Sequence, residues 1–133
     1  MGSVLIGSQP FIADARRVRK AMGGGMRQAG YLAAAGIYAL DNHIERLRDD
    51  HEHARQLAAS LAELPWVVNI RPVQTNILIF DLVLPQTPAA FLAYLKENGV
   101  IASAFGPQTI RFVTHLDVTK SMIEQVLGIL KRY

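Results

Sequence analysis

The stretch "TNILIFDLVL", residues 75–84, decides how the rest of the chain is read. It is enriched in β-branched and aromatic side chains, which suit a pleated, half-buried surface, so it is predicted as a strand. Just past Pro65, "WVVNIRP" (66–72) reads as a second strand. Downstream, Pro88 opens a helix through about Asn98, with Phe91, Leu92 and Leu95 inward and Gly99 closing it. "VIASAF" (100–105) and "TIRFVTHL" (109–116) are two more strands, separated by the hairpin-like turn "GPQ". "DVTKSMIEQVLGILKRY" (117–133) is a final helix, capped by Asp117 or Thr119, with Ile123, Val126, Leu127 and Leu130 as its stripe. Residues 65–133 thus read β-β-α-β-β-α, an α+β unit in which an antiparallel sheet carries helices on one face.

Upstream, "SVLIG" (3–7) is a short apolar run between small residues and reads as a strand. Residues 9–21 read as a helix with Pro10 in its first turn, ended by Gly23, Gly24 and Gly25. From about Gln28 to Leu64 the pattern predicts one very long helix, whose stripe includes Leu32, Ile37, Leu40, Ile44, Leu47, Ala54, Leu57 and Leu61. Its first third, "YLAAAGIYAL" (31–40), is apolar nearly all round and must be covered on every side, which a small domain alone can hardly do.

Composition sets the outer limits. At 133 residues, half of them apolar and 19% charged, the chain is globular and can bury a core without staples. It has no cysteine, which excludes disulfides and thiolate metal sites and fits a cytoplasmic setting. No apolar run is long enough to span a membrane, and the start lacks the basic region of a signal peptide. Residues 1–30 carry a net charge of +4, from Arg16, Arg17, Arg19, Lys20 and Arg27 against Asp14, while the remainder carries −1. An anionic partner near the N-terminus, or a solvated helix face, would each account for that asymmetry.

Candidate chemistry is sparse. In "RKAMGGGMRQAG" (19–30) three glycines stand between cations, which suits either a phosphate cradle or a loose turn with charges in water. The spacing matches neither a P-loop nor a dinucleotide fingerprint. The basic segment lacks interleaved aromatics, which argues against nucleic acid. His51 and His53, two apart on a helix, face different directions and cannot share a metal; with His43 they read as surface residues, and no metal-ligand motif is present. His115 could cap a loop or face a ligand. Arg111 sits inside a strand and shares a face with Thr109 and Val113. There it is either edge-exposed or paired, or it turns its planar fork to a cleft to capture a carboxylate.

Three stretches coincide in one family. "GSVLIG" (2–7), "RKAMGGGMRQAGYLAAAGIYAL" (19–40) with "RLRDDHEHA" (46–54), and "IRFVTHLDV" (110–118) resemble the low-specificity threonine aldolases, pyridoxal-phosphate enzymes of the aspartate aminotransferase fold. The resemblance runs in order along the whole chain. It implies a C-terminal portion of such an enzyme: residues 1–35 a piece of the larger cofactor-binding domain, residues 36–133 the small domain, with the long helix bridging them. It implies that Arg111 holds the substrate α-carboxylate and that Lys20 and Arg27 reach the cofactor phosphate of a neighbouring subunit. The intact enzyme would cleave L-threonine or L-allo-threonine to glycine and acetaldehyde as a cytoplasmic homo-oligomer, dimer or tetramer, with an amino acid as small-molecule substrate and neither nucleic acid nor membrane as partner. The family's cofactor-bearing lysine precedes the strand matched by "GSVLIG", so no residue here is expected to be catalytic and the chain alone is expected to be inactive. A stand-alone amino-acid-binding regulatory domain is the alternative.

Overall fold

The computed structural model describes residues 3–133. The chain divides into two compact units, the first ending at Ile44 and the second comprising Glu45–Tyr133. The second unit holds helix α3 (Leu47–Ala62), strand β1 (Val67–Val68), β2 (Ile77–Leu82), helix α4 (Pro88–Glu97), β3 (Ser103–Ala104), β4 (Thr109–Val113) and helix α5 (Lys120–Leu130). Its four strands form one antiparallel sheet in the order β1-β2-β4-β3.

Alternation along the strands decides which face is covered. Leu78, Phe80 and Leu82 of β2 and Ile110 and Phe112 of β4 are buried against Leu57 and Leu61 of α3, Phe91 and Leu95 of α4, and Ile123 and Leu130 of α5. The expected α+β arrangement, an antiparallel sheet with helices on one face, is the one observed. Phe91 is the centre of an aromatic cluster: its ring lies 5.2 Å from Trp66, 5.0 Å from Tyr133 and 6.2 Å from Phe80. Tilted and edge-on pairs of this kind add to area burial.

Local chemistry places the helix ends. Thr87 caps α4 by accepting the Ala90 N–H at 3.3 Å, and Pro88 fills a position that needs no donor. Gly99, at φ +79°, closes it: Val100 N–H donates to the Leu95 carbonyl and Gly99 N–H to that of Lys96. Thr119, rather than Asp117, caps α5 by accepting the Met122 N–H at 3.3 Å.

The first unit contains α1 (Gln9–Ala21) and α2 (Gly30–His43). Gly23, also at φ +79°, ends α1 in the same way, with Gly24 N–H donating to the Arg19 carbonyl at 2.8 Å and Gly23 N–H to Lys20 at 3.2 Å. Two expectations fail. The "SVLIG" segment forms no strand: its residues pair with none of the four strands of the sheet. The long helix is two helices, interrupted by a turn at residues 44–46. There Arg48 and Asp49 donate to the carbonyls of Glu45 and Arg46, i→i+3 bonds that tighten the backbone. The apolar residues Tyr31, Ile37, Tyr38 and Leu40 of α2 are exposed, so the cover that their sequence demands is not supplied within the first unit. No helix of the described residues is long and apolar enough to cross a membrane.

Replacing Phe91 by Ala is expected to cost about 3–5 kcal/mol, because the fully buried ring leaves a cavity among rigid aromatic neighbours. Equilibrium urea unfolding of parent and variant measures this.

Candidate functional site

The face of the sheet opposite the helices carries the chemistry. Antiparallel register places Ile79 and Ser103 on either side of Arg111, and Asp81 beside Thr109. Arg111 is half-buried there. Its guanidinium carbon lies over the Phe105 ring, 5.6 Å from the centroid. Its Nε is closed off from solvent and has no hydrogen-bond partner, whereas neither Nη is closed off in this way. Among the described residues no side-chain hydrogen bond or ion pair uses the fork, so two parallel N–H groups remain for a planar anion.

Beside it lies a polar cluster. Thr109 Oγ1 donates to Asp81 Oδ1 at 2.7 Å, and Asn69 Nδ2 donates to Oδ2 at 3.2 Å. The Thr109 hydrogen bond, followed by that of Asn69 and the charge of Arg71, holds the Asp81 carboxyl below its ordinary value of 3.8 against the opposing effect of partial burial. Asp81 therefore stays ionised and supplies a fixed negative charge at this end of the open face.

The segment after β4 is mainly architectural. Thr114 is buried; its hydroxyl donates to the Asp50 carbonyl at 2.7 Å, and its carbonyl accepts from Asn76 Nδ2 at 2.6 Å. Asp50, itself buried, receives a two-pronged contact from Arg46 at 3.0 and 2.6 Å. His115 Nδ1 accepts the Asp117 N–H at 3.3 Å, so this histidine shapes the turn leading to α5. A cleft of about 300 Å³ is lined by Leu57, Val100, Phe112, His115 and Val126; it is mostly apolar, and Arg111 does not line it. His43, His51 and His53, expected on the surface, are half-buried, and the His43 ring lies edge-on to Tyr38 at 5.6 Å. Among the described residues no group of three His, Cys, Asp or Glu could hold a metal ion.

Lys20 and Arg27 belong to the first unit, Arg111 to the second. Both cations flank the glycine turn and are exposed. The Lys20 side chain folds back across it, with Nζ 3.2 Å from where a Cβ on Gly25 would stand, and Arg19 closes in similarly on Gly24. Gly23 is thus needed for its positive φ and Gly24 for the close approach of the Arg19 carbonyl, whereas at Gly25 only the flexible end of Lys20 stands in the way. Phe105 and Asp81 escaped the reading of the sequence, which named Thr109 only as sharing a face with Arg111. The signal for Phe105 was the short "GPQ" turn, which fixes it two residues from the one opposite Arg111.

A family model described as beta-eliminating lyase matches residues 1–84. The chain is 42% identical over 126 residues to a low specificity L-threonine aldolase of Escherichia coli K12, covering 95% of this chain and 36% of that protein. It is 37% identical over 131 residues to low-specificity L-threonine aldolase 1 of Arabidopsis thaliana, covering 96% of this chain and 37% of that protein. The chain therefore spans about a third of the length of these relatives. Among solved structures it is similar to the cystine C–S lyase C-DES (TM-score 0.62, 22% identity, 79% of this chain and 29% of that one). It is also similar to an aminotransferase of Bacillus anthracis (TM-score 0.60, 24% identity, 76% and 26%). These likenesses place the fold in the aspartate aminotransferase class.

Acid titration checks the polar cluster. Because the folded-state value of Asp81 is lowered, its stabilisation is complete above the ordinary carboxylate value and is lost as pH falls through the folded one. Asp81→Asn should lower the unfolding midpoint at pH 7 and lose less stability than the parent between about pH 5 and 2, as read by urea melts across that range.

Proposed function

This chain belongs to the beta-eliminating lyase family, and we propose that it is the C-terminal portion of a pyridoxal-phosphate enzyme cleaving L-threonine or L-allo-threonine to glycine and acetaldehyde. The observation that carries this reading is the match to threonine aldolases along 95% of the chain. Arg111 is the residue through which the chain would act. On the open sheet face its two Nη groups take the substrate α-carboxylate in a two-pronged contact, fixing the amino acid's orientation about its Cα.

The residues present fit this cofactor only in part. Lys20, Lys96, Lys120 and Lys131 are the four lysines and all are exposed, so none occupies the enclosed position a cofactor-bearing lysine needs. In this reading the lysine comes from outside these residues, and the chain contributes substrate orientation through Arg111. Lys20 and Arg27, held by the glycine turn, contribute positive charge towards the cofactor phosphate of a neighbouring subunit. Residues 1–35 belong to the larger cofactor-binding domain and residues 36–133 to the small one. The enzyme is cytoplasmic, in keeping with a chain without cysteine.

Self-association follows from the same reading. The exposed apolar side chains of α2 exceed what a monomer leaves bare, and a two-fold contact through residues 28–47 would cover them. Sedimentation equilibrium over a range of concentrations is expected to show a dimer or larger species; a monomer throughout would refute this.

Arg111→Lys in the intact enzyme keeps the charge and loses the fork. It is expected to raise KM for allo-threonine, at a cost of about 1.5–3 kcal/mol in kcat/KM, while cofactor absorbance is retained. The same glycine-release assay on this chain by itself is expected to give no product. Unchanged kinetics in the variant would remove Arg111 from the site.

A further inference from the structure

The geometry points to Phe105 as the residue that positions the Arg111 guanidinium, whose Nη edge is the one left to meet the substrate. The inference rests on the reading of Arg111 as the carboxylate-holding group. Ser103 stands directly opposite Arg111, so Phe105, two residues further along the same chain, is the diagonal neighbour on the same face. At that diagonal an aromatic ring and an arginine are within reach of each other. The Phe105 backbone is fixed independently: its N–H donates to the Thr109 carbonyl at 2.8 Å, and the Thr109 N–H returns to Gly106, closing the turn. The ring therefore arrives from a rigid hairpin rather than from a loose loop.

Two observations meet at the guanidinium. Its carbon lies over the ring face, 5.6 Å from the centroid, where the negative face of the π system attracts the cation. Its Nε is shut off from solvent without a partner, while neither Nη is shut off. An arginine can grip a carboxylate either end-on through both Nη groups or side-on through Nε and one Nη. With Nε closed, only the end-on edge remains. A buried donor without a partner is costly, and the attraction of the ring offsets that cost locally. Phe105 itself touches no substrate in this arrangement; it acts through Arg111.

Steady-state kinetics of the intact enzyme with L-allo-threonine test this, using Phe105→Leu, Phe105→Tyr and the double variant with Arg111→Lys. Phe105→Leu is expected to raise KM about two- to fivefold with kcat nearly unchanged, as the loss of an exposed cation–π contact implies. Phe105→Tyr, which keeps the ring face, should restore the parent KM. Combined with Arg111→Lys, Phe105→Leu should have little further effect, because the partner it positions is already gone. Should Phe105→Leu fail to fold, Phe105→Met, which is apolar but has no ring face, is expected to give the same KM rise. If Arg111→Lys raises KM and the Phe105 variants do not, the positioning role is overturned while the carboxylate reading stands. It is equally overturned if Tyr fails to restore KM or if the two effects simply add. If Arg111→Lys leaves KM unchanged, the carboxylate reading itself falls, and the role of Phe105 with it.

Discussion

Everything in the second unit depends on the register between β2 and β4. With Phe80 opposite Ile110 and Ile79 opposite Arg111, one set of side chains enters the aromatic core and the other faces away from the helices. Strand periodicity is two, so a slip of one residue would drive Arg111 and Asp81 into the core and turn Phe80 and Phe112 out to water. Burying an unpaired guanidinium or carboxylate costs far more than the pairing could return. The hydrophobic core therefore does more than hold the sheet together: it determines which face is left for chemistry.

Register alone does not hold α3 against the end of that strand. The buried Thr114 does so, with its hydroxyl on the Asp50 carbonyl and its backbone locked to Asn76. Asp50 is in turn gripped by Arg46 in the turn before α3. The "VTHLD" segment that carries much of the family resemblance thus has an architectural meaning for at least two of its residues. Thr114 ties helix to sheet, and His115 shapes the turn into α5. The arginine upstream of them is turned to the open face, as are Thr109 and Val113.

Elements whose signals are local were legible from the residues. The start of α4 at Pro88, the cap of α5 at one of two nearby residues, the closures at Gly23 and Gly99, and the alternation in β2 and β4 are decided within a few residues of each position. Segments whose state depends on distant partners were not. "SVLIG" has strand composition but pairs with no strand among the described residues, and the hydrophobic stripe across residues 28–64 continues unbroken past residues 44–46, where the backbone tightens. A stripe reports which side of a helix seeks cover, not whether the hydrogen-bond ladder is continuous.

The sequence by itself determined the α+β order of elements, the face on which Arg111 lies, the confinement of excess positive charge to the first 30 residues, and the family. Tertiary structure alone decided what surrounds that arginine. The Phe105 ring, the closed Nε and the Asp81–Thr109 pair arise from side chains up to 28 residues apart, brought together by strand pairing. No local propensity encodes such contacts: each exists only once the β2–β4 and β3–β4 registers have been set by burial of the opposite face.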